Sequence, residues 1–286
     1  MNLPPTVIAI PFFALLIAAE TYLSLRKEET YDSRDVWTNI WLGFGSVGFG
    51  AIFVFIQVFF YDYIYRNLAP FQMPMNTVWA WTILLLADDF VYYWFHRVSH
   101  EVRFFWNFHV VHHSSNQYNL SVAVRQSWFS GVAHWIFYIV PAFLGFPLEA
   151  FVLMHGLNLI YQFWIHTKTV KKLPAFAEFV LNTPSHHRVH HGVNEQYLDK
   201  NYGGILIVWD RIFGTFIEET ETPRYGILKP LTSYNWLWIN SHGWTEMFEE
   251  IRRRKTFSGK LRCVFGSPNM DFEEKILLPA NTTKQI

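Results

Sequence analysis

Two stretches of the chain place one histidine, two intervening residues and then a histidine pair. Residues 109–113 read HVVHH and residues 187–191 read HRVHH. A third stretch, 96–100, reads HRVSH. Imidazoles at i, i+3 and i+4 share one face of a helix, and so do the two of an i, i+4 pair. His96, His100, His109, His112, His113, His187, His190 and His191 therefore form a set of nitrogen ligands, with His186 as a neighbouring spare and His166 closing an apolar run. A lone buried histidine is ordinarily a hydrogen-bonded core residue, but gathering eight is costly unless something pairs them. A metal does so. A structural zinc takes four ligands and a catalytic zinc three, so this many histidines imply two metals with about four ligands each. Imidazole suits zinc, copper, iron and nickel alike, and spacing leaves that choice open. The lone cysteine, Cys263, rules out an intramolecular disulfide and a cysteine-rich metal site.

Other polar residues fall in register with these boxes. Asp89 lies two helical turns before His96 on the same face. It is the expected carboxylate partner for the second nitrogen of a ligating histidine, ahead of Asp88. His155, Asn158, Gln162 and His166 form a polar stripe at near-helical spacing, with Gln162 one turn from His166 and in reach of the site. His155 lies about 16 Å along that helix from His166, too far to ligate beside it. His155 and His134 read as structural or substrate-lining, and His242 as an ordinary tail histidine.

The elements that must hold these ligands are apolar. The 286 residues are 51% hydrophobic, 19% aromatic and 16% charged, against roughly 25% charged in soluble domains. A formal net charge of zero excludes the bulk basic field that nucleic acid would need. A membrane span takes about 20 apolar residues. Residues 4–25, 36–61 and 77–95 approach that length, and 128–144 and 150–166 form a further pair split only by GFPLE, which reads as a helical hairpin. Gly43, Gly45, Gly48 and Gly50 offer the second span a small-residue face for close helix packing. The first apolar run begins almost at Met1 without a basic segment, so no cleavable leader is expected.

If the third span leaves the membrane at His96 and the hairpin returns to its own side, every histidine box lies at one membrane face. Arg26, Lys27, Arg34, Arg97, Arg103, Arg125, Lys168, Lys171 and Lys172 gather there, whereas the opposite face has Arg66 and little else basic. Excess Lys and Arg marks the cytoplasmic side. Residues 201–216 are apolar enough to lie on the membrane or pack on the histidines, and MFEEIRRRK reads as a solvated amphipathic helix. The expected fold class is thus all-α, an integral-membrane helical bundle of about four to five spans with a cytoplasmic His-rich di-metal cap. Residues 1–75 would be N-terminal membrane helices, 76–220 the His-box domain and 221–286 a cytoplasmic C-terminal tail.

At the boxes the chain resembles the fatty acid hydroxylase and sterol desaturase superfamily of integral-membrane di-iron enzymes, whose pattern is HxxxH, HxxHH and a late HxxHH. The linking phrases YYWFHRVSHE (92–101), HHSSNQYNLSVAVRQS (112–127), YQFWIHT (161–167), LNTPSHHRVHHGVN (181–194) and DKNYGGILIVWDRIFGTF (199–216) are similar to its alkylglycerol monooxygenase subgroup. The resemblance covers about 60–260 and makes 76–220 a fatty acid hydroxylase domain. It implies two iron ions, held by the eight box histidines with His166 as a ninth. It implies O2 as co-substrate, and Glu101 matches an acidic position of the subgroup, so that Glu101 and Asp89 are the carboxylates expected to serve the chemistry. The implied substrate is a membrane lipid. Hydroxylation at the ether-bearing carbon of an alkylglycerol would give a hemiacetal that collapses to fatty aldehyde and glycerol. The implied reductant is tetrahydrobiopterin. No glycine-rich dinucleotide fingerprint or cysteine cluster is present, so electrons otherwise come from a donor protein. The implied location is the endoplasmic reticulum in a eukaryote or the inner membrane in a bacterium. The alternative within the superfamily acts on a sterol, fatty acyl or amino-acid-linked lipid. A zinc-dependent membrane hydrolase is the rival from another class; a metal carrier would instead string its ligands along a transmembrane path.

Overall fold

The computed structural model describes residues 3–26 and 32–269. Met1, on which the leader expectation rests, Lys27 of the basic face and the end of the tail lie outside the described residues. Among the described residues every regular element is helical, and the only bridge is a single antiparallel one between Leu181 and Leu206. The all-α expectation holds.

Helix α1 (Pro5–Arg26) and helix α2 (Ser33–Asn67) are long and apolar enough to cross a membrane, with mean hydropathies of 1.9 and 2.0. Asp32 caps α2, its side chain accepting from Arg34 N at 2.9 Å. Helix α3 (Val78–Glu101) runs through the first histidine box rather than ending before it. It is interrupted only at Val102, whose extended backbone (φ −118°, ψ 117°) separates it from α4 (Arg103–His113). The first two boxes thus sit on two helices joined by one β-branched residue. Helices α5 (Ser130–Phe143) and α6 (Leu148–Trp164) form the expected hairpin. Its turn uses Gly145 at φ +83°, a left-handed position where a side chain would strike the Phe71 carbonyl. Helix α1 packs on α6, α2 on α5, and α3 on α4, α5 and α6.

The cap contains α7 (Ala175–Val180), α8 (Pro184–His190) and α9 (Val208–Phe213), followed by α10 (Trp236–Arg253) and α11 (Phe257–Phe265). Pro184 and a reciprocal capping pair between Thr183 and His186 start α8, so a helix of only seven residues can carry the late box.

Two expectations change. The glycine face of α2 serves the connection at 120–128, a short 3-10 turn and the residues after it, rather than a second membrane helix: a Cβ on Gly43 would meet Val124 O at 2.7 Å, Gly45 lies beneath the Trp128 indole, and Gly48 and Gly50 have nothing within 4 Å. The amphipathic tail helix α10 is not simply solvated. It buries Ile239, Asn240, His242 and Met247, packs on α4, takes a hydrogen bond from Asn107 Nδ2 on Met247 Sδ at 3.3 Å, and pairs Glu250 with Arg103. His242 is accordingly a buried residue, its ring placed by the Ile239 carbonyl.

Candidate metal centre

The nine predicted histidines converge, and they sort into two groups. His96, His100, His109, His113 and His190 form one, and His112, His166, His187 and His191 the other; within each group one ring nitrogen per residue lies within 4.8 Å of all the rest. Helical spacing explains the division. On α4 the i and i+4 residues, His109 and His113, turn to the first group, and the i+3 residue, His112, turns to the second. The late box inverts this, giving His190 to the first group and His187 and His191 to the second. The first box adds an i, i+4 pair to the first group, and α6 delivers His166 to the second from the residue pair just beyond its end. The groups adjoin, with the rings of His113 and His191 stacked at 4.3 Å.

Inside each group the Nε2 atoms face one another. His96 and His109 are 3.0 Å apart, His109 and His113 3.1 Å, His166 and His187 2.9 Å, and His112 and His166 3.3 Å. The Nδ1 atoms point outward and donate to main-chain carbonyls: His96 to Tyr202 O at 2.8 Å, His190 to Lys200 O at 2.9 Å, His112 to Arg125 O at 3.1 Å and His166 to Gln162 O at 2.7 Å. This fixes the tautomer that leaves an Nε2 lone pair inward. The loop carrying two of those carbonyls bends through Asp199 (φ 57°) and Asn201 (φ 58°). Asn201 secures the bend by donating to His186 O and Ile217 O.

The environment keeps these rings neutral. Burial, with Arg125 and neighbouring histidines adding to it, takes His112 down to about 4. Burial and mutual repulsion likewise hold His113, His187, His190 and His191 well below the ordinary imidazole value. The Nε2 atoms of His100, His190 and His191 are buried without a hydrogen-bond partner. Unpaired buried nitrogens are expensive, and neutral imidazoles with inward lone pairs fit divalent transition metals. A crevice of about 50 Å³ reaches the first group, lined by Trp106, Leu198, Asp199, Ile227 and Leu228 beside the histidines.

The expected carboxylates lie elsewhere. Asp89 bonds no histidine. Its Oδ1 accepts from Ile205 N at 2.6 Å, and its Oδ2 from Leu206 N at 3.0 Å and Trp209 Nε1 at 2.9 Å. It clamps the segment that follows the Tyr202 carbonyl onto α3, and Gly204 is required there because a Cβ would meet Asp89 Oδ1 at 2.8 Å. The main chain holds four of the ligands instead, through the carbonyls facing His96, His112, His166 and His190, while His100 Nδ1 faces the Asp199 carboxylate at 3.7 Å. Glu101 points outward to Arg97 at 2.8 Å. Asp88 pairs with His155 at 3.0 Å and accepts from Asn158 at 2.8 Å inside the bundle. Gln162 donates its amide to Asn158 Oδ1 at 2.7 Å and serves His166 only through its carbonyl. His134 stacks edge-on against Phe95. His186 pairs with Glu178 at 3.0 Å rather than joining either group.

Sequence reasoning missed Arg125 and Asp210. Arg125, counted as a surface charge, is 2% exposed. Its guanidinium donates to Val111 O, Ser114 Oγ and Asn39 Oδ1, fixing the end of α4 on either side of the His112–His113 pair. Asp210, pushed up to about 6 by burial, accepts from Tyr202 N and Gly203 N at 2.8 and 2.7 Å. The signal for both was a charged residue inside an otherwise apolar phrase.

Comparison with known proteins gives the family of this region. Residues 81–215, which contain all nine ligand candidates, match the family model described as Fatty acid hydroxylase. The chain carries a fatty acid hydroxylase domain. It is 38% identical over 287 residues to alkylglycerol monooxygenase of Homo sapiens, covering 97% of this chain and 64% of that protein. It is 34% identical over 259 residues to alkylglycerol monooxygenase of Caenorhabditis elegans, covering 90% and 48%. Ornithine lipid hydroxylase OlsE of Rhizobium tropici is 27% identical over 148 residues, covering 51% and 44%. The chain thus spans about half to two thirds of the length of these alkylglycerol monooxygenases. No solved structure matches it.

Proposed function

We propose that this hydroxylase-domain chain is an O2-dependent di-iron membrane monooxygenase that hydroxylates the ether-bearing carbon of an alkylglycerol. The observation that carries the reading is the division of nine imidazoles, eight of them buried and His109 partly so, into adjoining groups of five and four. Its relatives named as alkylglycerol monooxygenases supply the substrate class.

One iron would be held by His96, His100, His109, His113 and His190, the other by His112, His166, His187 and His191. Bound iron supplies the centre at which O2 is reduced and a C–H bond oxidised. The chain's part is to present neutral imidazoles, to keep water from the two groups by burying them, and to orient the rings of His96, His190, His112 and His166 through the carbonyls of Tyr202, Lys200, Arg125 and Gln162. The overall reaction consumes O2, two electrons and two protons. One oxygen atom enters the carbon beside the ether oxygen and the other leaves as water. The resulting hemiacetal then expels the glycerol hydroxyl and becomes a fatty aldehyde. Tetrahydrobiopterin is the proposed electron source, with a donor protein as the other route.

In this reading α1, α2 and α3 cross the bilayer. α5 and α6 rise about 21 and 25 Å from their lengths, less than the roughly 30 Å hydrocarbon core, and enter from and return to the histidine side. That side faces the cytoplasm by its excess of basic residues. Arg125 no longer counts toward that excess, because it is buried. Asp89 acts as a support of the cap and Glu101 as the partner of Arg97, rather than as groups that touch substrate.

The test is fatty aldehyde release from an alkylglycerol by iron-loaded membranes in air, with and without tetrahydrobiopterin. Pterin-dependent aldehyde is expected. An iron-replete protein that releases none, yet oxidises another lipid class, refutes the ether-lipid assignment.

A further inference from the structure

Two helices of the cap are built inside out for contact with water. In α7 the buried residue is Glu178, while Phe176 and Phe179 are 81% and 60% exposed. In α9 the buried residue is Asp210, while Ile212 and Phe213 are 61% and 37% exposed. Both carboxylates are fully employed within: Glu178 accepts from Ser185 Oγ at 2.6 Å and Leu173 N at 2.8 Å, and Asp210 holds the Tyr202 and Gly203 amides. A water-facing helix shows the opposite arrangement. Contiguous exposed apolar surface marks a contact site.

The two helices form one face. Ile207 N donates to Val180 O at 3.1 Å and Arg211 Nε to Phe179 O at 3.1 Å. The Arg211 guanidinium also lies over the Phe179 ring at 4.8 Å. The face continues directly into the outer surface of α3. Phe213 packs at 5.1 Å from Trp94 and 6.3 Å from Phe90, and Phe90, Leu86 and Ile83 are exposed in a line along that helix. Exposed Lys171 stands just ahead of α7, so a basic flank accompanies the apolar face.

We infer that the α7–α9 face lies flat in the headgroup boundary of the bilayer beside α3, with phospholipid as its partner. Phe176, Phe179, Ile212 and Phe213 meet the upper acyl chains, and Lys171 and Arg211 meet lipid phosphates. Such in-plane helices bury their apolar side about 5–10 Å deep. The inference rests on α3 being a membrane span. It joins the membrane surface to the metal centre through two short connections. Glu178 holds His186, the residue before His187, and Asp210 holds the amide of Tyr202, whose carbonyl takes His96.

The test uses the full chain in phosphatidylcholine–phosphatidylglycerol vesicles. Single cysteines (Phe176→Cys or Ile212→Cys, in a Cys263→Ala background) carry an environment-sensitive fluorophore. Phe55→Cys, 78% exposed on α2, is the span reference, and Thr245→Cys on the outer side of α10 is the aqueous reference. Labels at 176 and 212 should shift to the blue and be quenched by brominated phospholipid, whereas the label at 245 should be quenched only by iodide. Aqueous spectra at 176 and 212 with a lipid-like signal at 55 overturn the inference alone. An aqueous signal at 55 overturns the span reading and the inference with it. Self-quenching at 176 without quenching by brominated lipid assigns the face to a second copy and also overturns it.

Discussion

Replacing Arg125 by methionine should bring the protein to the edge of unfolding, although the side chain touches neither lipid nor metal group. Methionine keeps the length and removes every donor. Asp35 then remains 7% exposed with only Asn39 Nδ2 at 3.1 Å and Ser115 Oγ at 2.7 Å to serve it, having lost the cation 3.7 Å away. Breaking a buried ion pair on one side costs about 3–5 kcal/mol, and the Asn39 oxygen left without its donor adds about 1 kcal/mol. The sum, about 4–6 kcal/mol, is comparable to the whole stability of many proteins. Arg125→Lys keeps the charge but offers one nitrogen where the fork reached three acceptors, so about half that loss is expected. Pairing Arg125→Met with Asp35→Asn should return at least 2 kcal/mol, because the stranded charge is gone. The assay is denaturant unfolding in detergent micelles, followed by tryptophan fluorescence across the four variants. A loss below about 1 kcal/mol for Arg125→Met, or strictly additive single and double losses, would refute the assignment of Arg125 as the buried clamp on α4.

Further outcomes follow from the same geometry. Asp89→Ala should free the segment at 205–209 and weaken iron retention about 10–100-fold against a chelator, the usual effect of disturbing what orients a ligand; unchanged retention would mean the clamp is irrelevant to the site. His190→Ala should abolish turnover with the protein still in the membrane, whereas His242→Ala should keep its iron, since His242 belongs to neither group; turnover by the first variant would remove it as a ligand. The metal-stripped protein should lose stability as pH falls from about 6.5 to about 4. His112 titrates near 4 when folded and near 6.5 when unfolded, so the unfolded chain binds more protons in that window, and His112 alone accounts for about 3 kcal/mol. Stability that stays flat across this range, measured by the same unfolding assay, would contradict neutral burial of the cluster.

The boxes were legible because a helix translates sequence spacing directly into a shared face. That reading gave the residues that meet but not how they divide. Whether the i+3 member of an HxxHH box joins its own i and i+4 neighbours or the adjoining group depends on how α4 and α8 are placed around the centre, which is tertiary. The partners of the outward nitrogens were hidden for a different reason. They are main-chain carbonyls of Tyr202, Lys200, Arg125 and Gln162, and a carbonyl has no letter of its own, so the nearby carboxylate of Asp89 drew the expectation instead. Arg125 was misread because charge counting treats every arginine as solvated, whereas here a loop folds back and buries it. The apolar phrase at 201–216 was recognised as membrane-like or core-packing. It contains both kinds of residue: Tyr202 and Ile207 pack inward, and Ile212 and Phe213 face out.

The most direct measurement of the central claim is the metal content of the purified, iron-supplied protein, with His109→Ala and His187→Ala beside it. The account predicts two irons per chain in the natural protein, with the loss in each variant falling first on the iron of its own group. One metal per chain, or zinc retained in preference to iron, would contradict it.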